Sequence, residues 1–344
     1  MHKIITLLLL LSTGLTIQAQ NQLEAILQKG ENATKHNIYI DLKDDRGNQC
    51  TIPISIIKGK KEGAVFTLTS GIHGFEYPPI IANQELIQEI DPALLSGTLI
   101  ILPLANPPSF YSRTPFLNPQ DSLNLNRVFP GSPTGSITQR IAHYLTHSVI
   151  AQSDVFIDIH GGDANEDLLP FICYYNNESN AQQTRRAQQL SEASGFEHIV
   201  SYDYTLRDDQ AAKYAFKQAV QDGKVALSIE CGKLGNLQKD AVALIKKGVY
   251  NMLQIMGMYP KTQEAKTDFL RITQQVYIRS KHRGVFQSDY VAGDRVKEGE
   301  TVGWIKDEFG ATITEIKATH SGIILYKIGT PPLNVGETIM CIGY

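Results

Sequence analysis

The stretch AVFTLTSGIHGFE (residues 64–76) decides how the rest of the chain is read. Its first eight residues form a nearly continuous apolar run closed by glycine, the pattern of a strand buried on both faces of a sheet. Gly71 and Gly74 then allow a sharp change of direction. His73 and Glu76 follow at once, with two residues between them. In open α/β sheets, ligands bind beyond the carboxyl ends of the strands, so both side chains stand where chemistry is expected.

The same rule finds two more residues. DVFIDIHGG (154–162) is a buried strand that ends at His160, and KVALSIECG (224–232) is another that ends at Glu230. Imidazole and carboxylate are zinc ligands, and a catalytic zinc takes three protein ligands with one position left for water. His73, Glu76 and His160 form such a set, with one zinc per chain. Asp158 lies two residues before His160 and so on the same side of its strand. It is placed to accept a hydrogen bond from a ligand imidazole and fix its tautomer.

Between these strands the chain alternates. NIYIDL (37–42) and QCTIPISII (49–57) open as a hairpin, and GTLIILPLA (97–105) is a further buried strand. LPFICYYN (169–176) and HIVSYDY (198–204) are strands, with helices expected at 80–90, 136–152, 181–193, 209–221 and 236–258. The alternation implies an α/β domain over 21–260, with a mixed, mostly parallel sheet and helices on both faces. A polar, proline-bearing segment at 259–268 reads as a linker. After it come short strands separated by glycines and charged turns, a small all-β domain over 268–344 beside the active site.

Residues 1–20 have a short basic start, an apolar run from Ile4 to Leu11 and a small residue, Ala19. That is a secretory signal peptide, and it implies an exported protein, periplasmic in a Gram-negative cell or otherwise secreted. The run is too short for a membrane anchor. A net charge of −3 gives no reason to expect a nucleic-acid partner. Cys50, Cys173, Cys231 and Cys341 are widely spaced, as expected for buried free thiols rather than a disulfide framework.

The loop RTPFLNPQDSLNLNRVFPG (113–131) is long and rich in Asn and Pro, and such loops tend to be functional. Asn126 and Arg127 offer an amide beside a guanidinium fork, which suits a carboxylate. Arg113 adds a second cation. GIHGFE, NLNRVFPG, DIHGG and IECG, in this order, resemble the succinylglutamate desuccinylase/aspartoacylase family of the zinc carboxypeptidase-like superfamily, over roughly residues 60–344. The resemblance implies zinc on His73, Glu76 and His160, and Glu230 as general base and acid. It implies Asn126 and Arg127 as the clamp for a substrate carboxylate, and an upstream arginine, for which Arg113 is the candidate, polarising the scissile carbonyl. The activity implied is hydrolysis of the amide bond of an N-acyl amino acid.

An exported metallocarboxypeptidase acting on short or cell-wall peptides would use the same groups, and the sequence leaves that alternative open, as it does the oligomeric state. His143 and His147 have chelating i, i+4 spacing but lie opposite the apolar stripe of their helix and lack the intervening glutamate of a zinc-protease helix. The end domain is similar to the barrel-sandwich hybrid of biotinyl and lipoyl carriers. Lys306, in IKDEFGA, lacks the setting of a modified lysine.

Overall fold

The computed structural model describes residues 22–207, 209–260 and 268–344. The expected signal peptide and most of the expected linker lie outside the described residues. The strands are β1 (Thr34–Lys43), β2 (Gln49–Lys58), β3 (Lys61–Ser70), β4 (Ser96–Leu102), β5 (Val155–His160), β6 (Glu166–Leu168), β7 (Phe171–Asn176), β8 (His198–Asp203), β9 (Val225–Glu230) and β10 (Leu270–Ile272). The helices are α1 (22–29), α2 (Tyr77–Glu89), α3 (Pro107–Tyr111), α4 (Ile137–Tyr144), α5 (Ala181–Ala193), α6 (Ala215–Gln221) and α7 (Lys239–Ile255).

Nine strands form one sheet in the order β1-β2-β4-β3-β5-β9-β7-β8-β10. At its centre β4, β3, β5 and β9 are parallel. β1 and β2 form an antiparallel hairpin, and β7 turns the direction against β9, with β8 and β10 following β7. The sheet is therefore mixed and mostly parallel, with helices on both faces. Successive side chains of a strand serve opposite faces. Phe156 belongs to the core with α4 and α6, while Ile157 and Ile159 belong to the core with α2, α5 and α7. Every residue of β5 is buried, which is why its sequence is apolar throughout apart from Asp158 and His160.

Two helices differ from the sequence pattern. The segment expected to be helical over 209–221 is helical only at Ala215–Gln221. Lys213 has a left-handed backbone (φ 71) and exchanges backbone hydrogen bonds with Phe129, so this stretch is tied to the loop before α4. The helix expected over 136–152 leaves α-geometry at Leu145 for a π turn, Leu145–Val149, and a 3-10 turn. Thr146 Oγ1 donates to Ala142 O at 2.9 Å there, a back-bond that loosens a helix. His143 is half-buried and His147 exposed on this segment.

The remaining strands, β11 (Gln275–Arg279), β12 (Gly284–Gln287), β13 (Arg295–Val296), β14 (Thr301–Lys306), β15 (Thr312–Lys317), β16 (Gly322–Ile328), β17 (Pro332–Leu333) and β18 (Thr338–Gly343), make two small antiparallel sheets. They are laced to the large domain from both sides. β10 extends the nine-stranded sheet along β8, and β6 of the large domain pairs with β16. Lys306 is not at a hairpin tip: it pairs with Val285 and Thr312, and the tip carries Phe309, 96% exposed. The four cysteines are free and buried.

Candidate active site

β3, β5 and β9 are neighbours with aligned carboxyl ends, and His160 stands directly opposite Glu230 in register. Beyond β3, Gly71 takes a left-handed turn (φ 67), and Gly74 lies so close to the 109–114 loop that a Cβ would sit 2.5 Å from Ser109 O. The turn places Glu76 at the start of α2, where its carboxylate meets both imidazoles. His73 Nδ1 is 2.5 Å from Oε1 and His160 Nδ1 is 2.9 Å from Oε2.

The far nitrogens explain the arrangement. His73 Nε2 lies 3.2 Å from Asn124 Oδ1, and His160 Nε2 lies 3.0 Å from Asp158 Oδ2. Both partners are acceptors, so each Nε2 carries the hydrogen. Each Nδ1 therefore faces the Glu76 carboxylate, and in a neutral ring it offers its lone pair there. Three electron-rich groups at these distances repel unless a cation lies among them. The protonation preferences show the same demand for positive charge, which protons on the rings meet when no metal is bound. Burial opposes charge on His73, but the Glu76 carboxylate outweighs it and the pKa rises. For His160, burial is outweighed by Asp158 and Glu76 together, and the pKa goes well above its usual value. Burial would raise Glu76, yet the two imidazoles hold it down to about 2. His73, Glu76 and His160 can place one ligand atom each within 4.8 Å of one another, and among the described residues they are the one such cluster. Two imidazoles and a carboxylate fit a catalytic divalent metal.

The centre opens into a cavity of about 580 Å³ whose lining includes Glu230, Phe116, Arg127, Tyr175, Lys217 and, from the end domain, Tyr277. Burial pushes the Glu230 carboxyl up to about 8; the carboxylates of Glu76, Glu166 and Asp158 add to this and His160 opposes it. Ser228 Oγ donates to Glu230 Oε1 at 3.4 Å. Arg127 stands at the rim, 4.7 Å over the Tyr214 ring, with Nη1 donating to Asn126 O at 2.6 Å. Asn126 Oδ1 accepts the Ala215 N–H at 3.0 Å and so holds the start of α6. Asn126 Nδ2 approaches His160 Nε2 at 3.5 Å. Since Nε2 carries the hydrogen given to Asp158, that is a contact between two donors, and Nδ2 is left for an oxygen in the cavity.

Asp158 Oδ2 also accepts the Phe216 N–H at 3.3 Å, which fixes the carboxylate that orients His160. Arg113 is not brought to this cavity. It is exposed after α3, in a left-handed conformation (φ 50) that turns it to solvent.

The comparisons with known proteins agree with this geometry. The model of the succinylglutamate desuccinylase/aspartoacylase catalytic domain matches residues 62–256. The chain belongs to the succinylglutamate desuccinylase/aspartoacylase family. A relative, the N-alpha-acetyl-L-2,4-diaminobutyric acid deacetylase of Halomonas elongata, is 30% identical over 301 residues, 85% of each protein. The crystal structure of a succinylglutamate desuccinylase/aspartoacylase from Rhodobacter sphaeroides superposes with a TM-score of 0.80 at 26% identity, over 90% of this chain and 95% of that one. The fold is also that of the product-bound ectoine utilization protein EutE (DoeB) from Ruegeria pomeroyi, with a TM-score of 0.81 at 24% identity over 91% and 96%. As a member of this family the chain is an amidohydrolase that deacylates N-acyl amino acids.

Several residues of this amidohydrolase site escape the sequence reading. Asp163 and Glu166 follow β5 with the spacing of His73 and Glu76 after β3, so the same strand-end rule could have found them. Glu166 lines the cavity and its Oε2 accepts the Asp163 N–H at 2.9 Å. Asp163 is wholly buried, and its carboxyl is pushed up to about 7 by burial and by Glu76. Tyr214 and Lys217 carry no local signal, because only the packing of α6 brings them to the cavity.

Proposed function

We propose that the family member described here is a zinc-dependent deacylase of small N-acyl amino acids carrying a second anionic group. The observation that supports this most is the juxtaposition of a His-Glu-His centre, a half-buried carboxyl at Glu230 and two cations, Arg127 and Lys217, around one cavity. His73, Glu76 and His160 would hold the zinc, which when bound supplies Lewis-acid activation of water and of the acyl oxygen. Glu230 takes the proton from the attacking water. Burial favours the protonated carboxyl that this transfer leaves behind, the cation at the centre keeps the carboxyl able to ionise for the first step, and Glu230 then returns the proton to the leaving nitrogen. Arg127 binds the α-carboxylate and Asn126 Nδ2 donates to a substrate oxygen, which sets the scissile bond between the metal centre and Glu230.

Lys217 supports the finer reading. Its ammonium lies 5.1 Å from the Tyr175 ring centroid and 5.7 Å from that of Tyr204. Burial lowers its pKa, and no carboxylate contributes to the shift. An incompletely hydrated cation facing a cavity favours an anion and disfavours the cationic side chain of a diaminobutyrate. Steady-state assays of the zinc-loaded enzyme would compare N-acetyl-L-aspartate, N-acetyl-L-glutamate and N-succinyl-L-alanine with N-acetyl-L-alanine and Nα-acetyl-L-2,4-diaminobutyrate. The dicarboxylates should have the highest kcat/KM. Faster turnover of the diaminobutyrate compound would remove the anionic preference and leave the deacylase reading in place.

Residues 1–20 support export of the mature enzyme. Cell fractionation and N-terminal sequencing should find it outside the cytoplasm and starting near Gln20. A cytoplasmic protein that retains Met1 would contradict this.

A further inference from the structure

One side-chain oxygen stands between the metal centre and the carboxylate clamp. Asn124 Oδ1 accepts from His73 Nε2 at 3.2 Å and from the Asn126 backbone N–H at 2.8 Å. The second bond is the cap of the short 3-10 turn Leu125–Arg127, which carries both clamp residues. The Asn124 carbonyl closes the same turn by accepting the Arg127 N–H at 3.0 Å. Leu125, wholly buried, anchors the turn in the core, and the Asn126 side chain passes the constraint on to the start of α6.

We infer that Asn124 is a positioning residue with two roles: it presents the His73 Nδ1 lone pair to the metal, and it holds the turn that aims Arg127 and Asn126 Nδ2 at the substrate. The two metal imidazoles are thus oriented differently, His160 by the Asp158 carboxylate and His73 by the amide of Asn124. The amide leaves His73 without a second negative charge behind it. It also ties the aim of the clamp to the orientation of a metal ligand, so a shift at either is felt at the other.

The two roles need different reach. A serine at 124 can cap the turn, as serine does at helix starts, but its hydroxyl is too short to reach His73 as well. An aspartate keeps an acceptor at the Oδ1 position and serves both. Zinc affinity is read by chelator competition on the whole protein, with no substrate present. KM is read on whichever N-acetyl amino acid the zinc-loaded wild type turns over best. Asn124→Ala should weaken zinc binding about 10–100-fold, the usual effect of losing a partner behind a metal-ligating histidine, and should also raise KM. Asn124→Ser should weaken zinc to the same extent with KM close to wild type. Asn124→Asp should restore both. The KM arm rests on the deacylase reading and the zinc arm does not, so a wild type that turns over no N-acyl amino acid would count against that reading alone. Wild-type zinc affinity in both the Ala and Ser variants would overturn the role toward His73. An equal rise of KM in Ser and Ala would overturn the separation of the two roles.

Discussion

Glu230→Gln should make the enzyme both inactive and more stable, for one reason. Glutamine matches the shape of glutamate but cannot shuttle a proton. The other carboxylates beside the centre are already engaged: Glu76 is one of the ligating residues, Asp158 pairs with His160, and Glu166 accepts the Asp163 N–H. The expected loss in kcat is about 10²–10⁴-fold, which is about 3–5 kcal/mol in the barrier. The metal should stay, since Glu230 is not one of the three ligating residues. Stability should move the other way in metal-free protein. The Glu230 carboxyl sits at about 8 in the fold against an ordinary 4.5, so folding favours its protonated form. That contribution is complete below about pH 4.5 and is lost as the pH rises through about 8. Ionising such a group costs on the order of 5 kcal/mol at about 1.36 kcal/mol per pH unit. Its partial exposure to the cavity reduces this to on the order of 1–3 kcal/mol. Urea denaturation of the metal-free pair should therefore show equal stability at pH 4.5 and a more stable variant at pH 9. Loss of zinc from the variant, or lower stability than wild type at pH 9, would refute the reasoning.

His160→Ala should lose metal and activity together, and elemental analysis of the purified variant that still finds one equivalent of zinc would remove His160 from the ligand set. Arg127→Lys keeps the charge but not the planar fork; KM should rise with kcat little changed, and equal kcat/KM for an N-acyl amino acid and its α-amide in the wild type would show that no carboxylate is read there. Deleting 268–344 should yield an insoluble or molten catalytic domain, because it strips β10 from the edge of β8 and uncovers Leu168 and Phe171, which share a core with Ile323 and Leu325. A truncated protein with an unchanged melting temperature would show that the end domain is merely appended.

The sequence by itself determined the sheet and the metal ligands. Strands buried on both faces announce themselves as apolar runs, and parallel neighbours align their carboxyl ends. His73, Glu76, His160 and Glu230 each follow such a run directly, so their meeting needs only the knowledge that β3, β5 and β9 lie side by side. Asp158 was legible for the same reason, through the two-residue period of its strand. What the tertiary structure alone decided lies on segments without a period. The path of the 103–136 loop brings Asn124 behind His73 and leaves Arg113 in solvent, although both stand in one polar stretch of sequence. The backbone bonds between Lys213 and Phe129 shorten α6 and set Tyr214 and Lys217 into the wall. Composition placed a linker at 259–268, but it gave no sign that β10, after it, pairs with β8 or that β6, before it, pairs with β16. Strand pairing depends on which edges remain open once the rest of the chain has packed. That is a property of the assembled fold, and no local run of residues carries it.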